Sequence, residues 1–178
     1  HIFPGATIME SKDLVNWKYC CNPLESIEGS DAFSLLNGQW RYSRGQWATA
    51  LQHKDGTFYM LFTTLDEGGY LLTANDIRGP WKKRKLEGGF YDGGLLFDGD
   101  NTYIAYGINN IRIARVDENF KRIEDREVAK YSVKSGLEGS RLYKIGEYYY
   151  IYATYGGVPA YQTVFRSKNV FGPYEEKF

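Results

Sequence analysis

The stretch Gly146-Glu147-Tyr148-Tyr149-Tyr150-Ile151-Tyr152 decides the fold, because it has two counterparts earlier in the chain. These are Gly56-Thr57-Phe58-Tyr59-Met60-Leu61-Phe62 and Asn101-Thr102-Tyr103-Ile104-Ala105-Tyr106. Each reads as a tight turn followed by an aromatic-rich strand. Asn replaces Gly in the middle copy without penalty, since both residues enter the left-handed backbone conformation that such turns demand. The equivalent residues Tyr59, Tyr103 and Tyr149 stand 44 and 46 residues apart. A short run precedes each turn: Leu51-Gln52-His53-Lys54, Leu95-Leu96-Phe97-Asp98 and Arg141-Leu142-Tyr143-Lys144. Each unit therefore begins as a β-hairpin.

Working outward, each hairpin is followed by a further strand and an exit motif. Leu71-Leu72-Thr73-Ala74 leads to Gly79-Pro80-Trp81, Ile111-Arg112-Ile113-Ala114-Arg115 to Asn119-Phe120, and Thr163-Val164-Phe165-Arg166-Ser167 to Gly172-Pro173-Tyr174. An orphan exit, Ser11-Lys12-Asp13-Leu14-Val15-Asn16-Trp17, has no hairpin before it, so the chain is expected to begin mid-repeat. A period of about 45 residues with roughly four strands predicts a β-propeller blade. Helical repeats of that length would need amphipathic stretches of period 3.6, and an immunoglobulin-like sandwich would show no fixed period. The expected fold is all-β, with residues 1–178 forming an incomplete propeller: part of one blade and about three following repeats.

Composition narrows the function. The chain has 178 residues, 17% of them aromatic, with 20 Gly and 22 basic against 22 acidic side chains. With no excess of positive charge there is no field to concentrate phosphate backbones, so a nucleic-acid partner is not expected. Nor is a membrane span. Cys20 and Cys21 are neighbours, a spacing incompatible with ordinary disulfide geometry. Two histidines and no CxxC or HExxH leave no zinc pattern, and phosphate-cradling and serine-nucleophile motifs are absent. No metal ligand is assigned.

In a propeller the first strand of each blade lines the central channel, so equivalent strand starts converge on one axis. Asp92 stands eleven residues before Tyr103, and Glu138 eleven before Tyr149; the counterpart before Tyr59 is Ala48, beside Trp47. Two carboxylates at one depth with a neighbouring indole is the composition of a sugar site, with acids for proton transfer and a flat apolar face for a ring. The same residues also suit plain loop chemistry, since Asp92-Gly93-Gly94 and Glu138-Gly139-Ser140 are good turn sequences. The tyrosine ladder is expected in the core and between blades. Asp13 and Asp76 are expected to cap outer turns, and Lys82-Lys83-Arg84-Lys85 to be a solvated strand.

These segments resemble glycoside hydrolase family 43, over essentially the whole chain. Phe3-Pro4-Gly5 with the Ser11 to Trp17 run, Gln46-Trp47-Ala48, Gly56-Thr57-Phe58-Tyr59, Tyr91-Asp92-Gly93-Gly94-Leu95-Leu96-Phe97-Asp98 and Glu138-Gly139-Ser140-Arg141 are similar to family elements, in the family's order. Thr49 and Gly93 depart from it where Pro is usual. The resemblance implies a five-bladed propeller, only partly contained in this chain, that hydrolyses arabinose- or xylose-containing plant polysaccharides with inversion. It implies Glu138 as general acid and Asp92 as the residue that orients it and tunes its acidity. Trp47 then belongs to the wall around the terminal sugar, and Gln162, on the loop after Gly156-Gly157, to the hydroxyl-binding groups. The catalytic base of the family falls before this sequence, so no residue here takes that role. No cofactor is expected in this chain; a calcium ion is an expectation for the complete propeller alone. The implied partner is an oligosaccharide or polysaccharide, and the implied location is secreted or periplasmic. Arabinofuranosidase is preferred over β-xylosidase, with a non-catalytic carbohydrate-binding propeller as the competing class.

Overall fold

The structure is a computed structural model that describes residues 5–27, 31–41, 44–130, 136–156 and 160–177. Phe3, Pro4 and Gly157 of the motifs above lie outside the described residues. Among those described, the regular elements are all strands. Strands β1 (Ile8–Ser11) and β2 (Trp17–Cys21) pair antiparallel as a two-stranded sheet. The first four-stranded blade is β3 (Ala50–Lys54), β4 (Thr57–Thr64), β5 (Gly68–Ala74) and β6 (Lys82–Lys85). The second is β7 (Gly94–Asp98), β8 (Asn101–Tyr106), β9 (Asn110–Val116) and β10 (Arg122–Lys130). The third is β11 (Leu137–Ile145), β12 (Tyr148–Tyr155), β13 (Tyr161–Ser167) and β14 (Glu175–Lys177). In each blade the strands run in chain order as an antiparallel meander.

Each expected hairpin forms where the turn chemistry allows it. Asp55 and Gly56 both sit at positive φ (48° and 76°), the two-residue connection whose twist matches the flanking strands. The orphan exit motif turns out to join β1 to β2, as its counterparts join β5 to β6 and β13 to β14. That pair thus corresponds to the outer two strands of a blade. Asp13 closes the turn by accepting the Val15 and Asn16 N–H groups at 2.9 and 2.7 Å, and Asp76 accepts that of Arg78 at 2.8 Å. Both cysteines are free thiols.

The blades stack face to face, and the cores lie in the seams between them. Alternation along each inner strand serves two seams at once. In β4, Met60 and Phe62 face the β1–β2 pair together with Ile8 and Leu24, while Leu61 faces the second blade with Leu95 and Ile104. In β8, Ile104 joins that seam, while Tyr103 and Ala105 pack with Leu142 and Ile151 of the third blade. The tyrosine ladder bridges blades as expected. Tyr59 lies 4.8 Å from Phe97, Tyr103 lies 5.9 Å from Phe171, and the Tyr149 hydroxyl donates to Asp98 Oδ2 at 2.5 Å.

At the axis, the innermost strands approach more closely than side chains permit. A Cβ on Gly94 would lie 2.8 Å from Arg141 Cα, 3.0 Å from the Leu142 nitrogen, and nearer still to the Ser140 carbonyl oxygen, all main-chain atoms of β11. Gly94→Ala is therefore expected to push β7 from β11 at a cost of about 1–3 kcal/mol. A clear fall in thermal midpoint checks this; an unchanged midpoint would show that the seam is slack.

Candidate active site

The segment Gly89 to Gly94 carries the chain from the first blade into β7, and its main chain is held from several sides. The Thr63 hydroxyl both donates to the Phe90 carbonyl and accepts the Phe90 N–H, each at 3.0 Å. Thr63 is buried at the top of β4, so neither bond competes with bulk water. Arg122, from β10, donates to the Gly89 carbonyl and lays its guanidinium 4.2 Å over the Phe90 ring. Gly93 N–H closes the turn onto the Phe90 carbonyl, and Gly107 N–H reaches the Tyr91 carbonyl, both at 3.0 Å. These bonds hold Asp92 at a φ of +50°, a conformation costly for a non-glycine residue and maintained where surrounding structure over-determines it.

Glu138 arrives from the other side of the same seam. It is the second residue of β11, paired with Thr154 of β12, and a bulge separates it from the next paired residue, Arg141. The start of the strand is pinned by Asn109, whose N–H donates to the Leu137 carbonyl at 2.8 Å and whose side-chain oxygen accepts the Gly136 N–H at 2.6 Å. A Cβ on Gly156 would come within 3.0 Å of Glu138 Oε1, so the bare backbone there leaves room for the carboxyl group.

The two carboxylates expected from register converge. The Asp92 carboxylate accepts the Gly139 N–H, the residue after Glu138, and the Arg141 guanidinium donates to the Asp92 carbonyl at 3.3 Å. Asp92 is 8% exposed. Burial, and then the negative charge of Glu138, raise its pKa above the ordinary carboxylate value, with Arg141 and the Gly139 N–H working in the opposite direction. Their shared sequence offset hides one difference: Asp92 precedes β7 in a turn, whereas Glu138 is already within β11.

Between them stands a residue to which the sequence motif gives no role. The Tyr91 hydroxyl donates to Glu138 Oε2 at 3.1 Å, and its ring lies 5.7 Å from that of Trp47. Burial and the charges of Asp92 and Glu138 push the phenol up to about 12, so it remains a protonated donor. Register did contain the signal: Trp47 and Tyr91 each stand twelve residues before the ladder tyrosine of their blade. Trp47 is held by its main-chain N–H donating to the Thr63 carbonyl at 3.0 Å, so Thr63 ties Trp47 and Phe90, the residue before Tyr91, to one strand end.

Gln162 requires a correction. It lies in β13, not on the preceding loop, because Tyr161 already pairs with Tyr155. Its cross-strand partner is Thr154, itself opposite Glu138, so the three share a face of the third blade. Two strand spacings put Gln162 roughly 10 Å from Glu138, too far for direct contact. Among the described residues no group of three His, Cys, Asp or Glu side chains is gathered to hold a metal ion.

Known proteins share much of this sequence and fold. The family model described as Glycosyl hydrolases family 43 matches residues 1–178. A beta-xylosidase of Bacillus subtilis is 32% identical, the match covering 97% of this chain and 36% of that protein. A non-reducing end alpha-L-arabinofuranosidase of Bacteroides ovatus is also 32% identical, over 97% of this chain and 34% of its own. The crystal structure of a xylan beta-1,4-xylosidase from Bacillus halodurans superposes with a TM-score of 0.82 at 29% identity, covering 98% of this chain and 37% of that one. The chain thus spans about a third of the length of the curated relatives it matches. The shared fold is the five-bladed β-propeller, of which three four-stranded blades and a two-stranded piece lie within the described residues.

Proposed function

Since the chain belongs to glycosyl hydrolase family 43, we propose that the full-length protein is a glycosidase that releases terminal arabinose or xylose from arabinose- and xylose-containing plant polysaccharides such as arabinoxylan, with inversion at the anomeric carbon. Glu138 protonates the leaving oxygen, and a carboxylate beyond this chain activates water on the opposite face of the sugar. Asp92 fixes the direction of the acid and supplies its neighbouring negative charge. The observation that carries this reading is the convergence of Asp92 and Glu138 across one blade seam, linked through the Gly139 N–H.

Trp47 supplies apolar wall to the terminal ring, its indole being half-buried and backed by Tyr91. Gln162, exposed on the same face but two strands further out, would meet a unit beyond the one cleaved. Arabinofuranosidase is the preferred activity. Release of xylose is the second reading, favoured by the beta-xylosidase name of the Bacillus subtilis relative. A polysaccharide substrate implies a secreted or periplasmic protein, and calcium, where the complete propeller holds it, would take its ligands from beyond the described residues.

Proton NMR of the first turnovers tests the proposal. The full-length protein, given arabinoxylan oligosaccharides, is expected to release free pentose whose initial anomer is inverted relative to the bond cleaved. A retained anomer would refute the mechanism, and saturable sugar binding with no turnover would make the protein a carbohydrate binder instead.

A further inference from the structure

We propose that Tyr91 is a positioning residue for proton delivery: its hydroxyl occupies Oε2 of Glu138 and leaves Oε1 as the oxygen that carries the transferable proton. The inference rests on Glu138 being the general acid. The two carboxylate oxygens have different surroundings. Oε2 lies 3.1 Å from the Tyr91 hydroxyl, whereas Oε1 lies beside Gly156, where a Cβ would come within 3.0 Å of it. While the Tyr91 hydroxyl donates to Oε2, that oxygen serves as its acceptor, and Oε1 is the oxygen left to hold the proton.

Other groups at the site do not substitute for this bond. Asp92 carries no donor when ionised, and its carboxylate is directed to the Gly139 N–H. Arg141 directs Nη1 to the Asp92 and Ser140 main-chain carbonyls at 3.3 and 2.9 Å. From β12, Thr154 meets the Glu138 carbonyl oxygen at 3.4 Å and not its carboxylate. Tyr91 itself is fixed by the Gly107 N–H on its carbonyl and by Trp47 beside its ring.

The step balances with water as the other reactant. The proton leaves Oε1 for the glycosidic oxygen as the bond from that oxygen to the anomeric carbon breaks and the bonding pair stays with the leaving alcohol, while the water on the opposite face bonds to that carbon and gives its proton to the base. Negative charge then spreads over both carboxylate oxygens of Glu138, and the Tyr91 bond to Oε2 becomes charge-assisted. The phenol keeps its own proton throughout.

Tyr91→Phe in the full-length protein keeps the ring and its contact with Trp47 and removes one hydroxyl. It is expected to lower kcat/KM on oligosaccharides about 10- to 100-fold, and to change turnover of the 4-nitrophenyl glycoside of the same sugar less than about 3-fold, because that leaving group needs little protonation. Selective loss cannot arise from misfolding, which would lower both substrates together. Equal loss on both overturns the role of Tyr91. If Glu138→Gln also leaves oligosaccharide turnover intact, the acid assignment itself is wrong; if Glu138→Gln abolishes it while Tyr91→Phe does not, only the positioning role fails.

Discussion

Glu138→Gln is expected to lower kcat/KM on arabinoxylan oligosaccharides by about 10²- to 10⁴-fold, the span that a positioned proton donor contributes. Gln has the same length and can stay opposite Thr154, and its amide oxygen still accepts from Tyr91, so local geometry should survive. What it lacks is an ionisable proton. The loss should therefore fall on kcat more than on KM, in keeping with an interaction made in the transition state. A 2,4-dinitrophenyl glycoside, whose departure needs no proton, should be turned over by the variant at near-parental rates. Undiminished oligosaccharide turnover would remove Glu138 from the mechanism.

Asp92→Asn is the second large effect, expected on the order of 10²-fold in kcat/KM on the same substrates. Asn enters the left-handed region readily, so the φ of +50° is no obstacle, and its side-chain oxygen can still accept the Gly139 N–H. The substitution thus removes a charge with little change of shape. Stability should move the other way from activity. Ionised Asp92 bears the cost of burial beside Glu138, so its pKa is raised in the folded protein. The stability linked to its proton is fully present below the unfolded pKa and is lost as pH rises through the folded one. At neutral pH the Asn variant, which never ionises, should melt at or above the parental midpoint, with the difference closing as the pH falls. A variant that melts lower at pH 7 and converges with nothing at acid pH would show that the Asp92 charge stabilises the fold.

The fold is legible in the sequence because a propeller blade repeats its local chemistry. The Asp55-Gly56 turn and its counterparts, the ladder tyrosines and the exit motifs each have a meaning on a single hairpin, and recurrence at a near-constant interval converts them into an architecture. Asp92 and Glu138 are legible for the same reason, since equal offsets from the ladder bring residues to one end of the channel. Gln162 is misplaced by sequence alone because the end of a loop depends on where cross-strand pairing starts, and the Tyr161 to Tyr155 pair is a long-range fact absent from local sequence. Thr63, Asn109 and Arg122 are hidden on other grounds. A threonine in an apolar strand reads as a strand former, and its two hydrogen bonds to the Phe90 main chain become visible only when the next blade is set against it. Tyr91 lies between these cases: its register with Trp47 is written in the repeat, whereas its hydrogen bond to Glu138 crosses a seam between blades.

That seam has a consequence for how such a protein is inherited. Propellers are built from a repeated unit, and a gene that gains, loses or exchanges one unit still encodes a plausible stack of sheets. Here the two carboxylates belong to different units, and the threonine that fastens the segment carrying one of them belongs to a third. A single blade transplanted elsewhere would carry strands and a core face, but not the chemistry. The smallest portion that keeps both carboxylates and their fastening together is a run of three neighbouring units, so recombination within the repeat should be tolerated by the scaffold far more often than by the reaction.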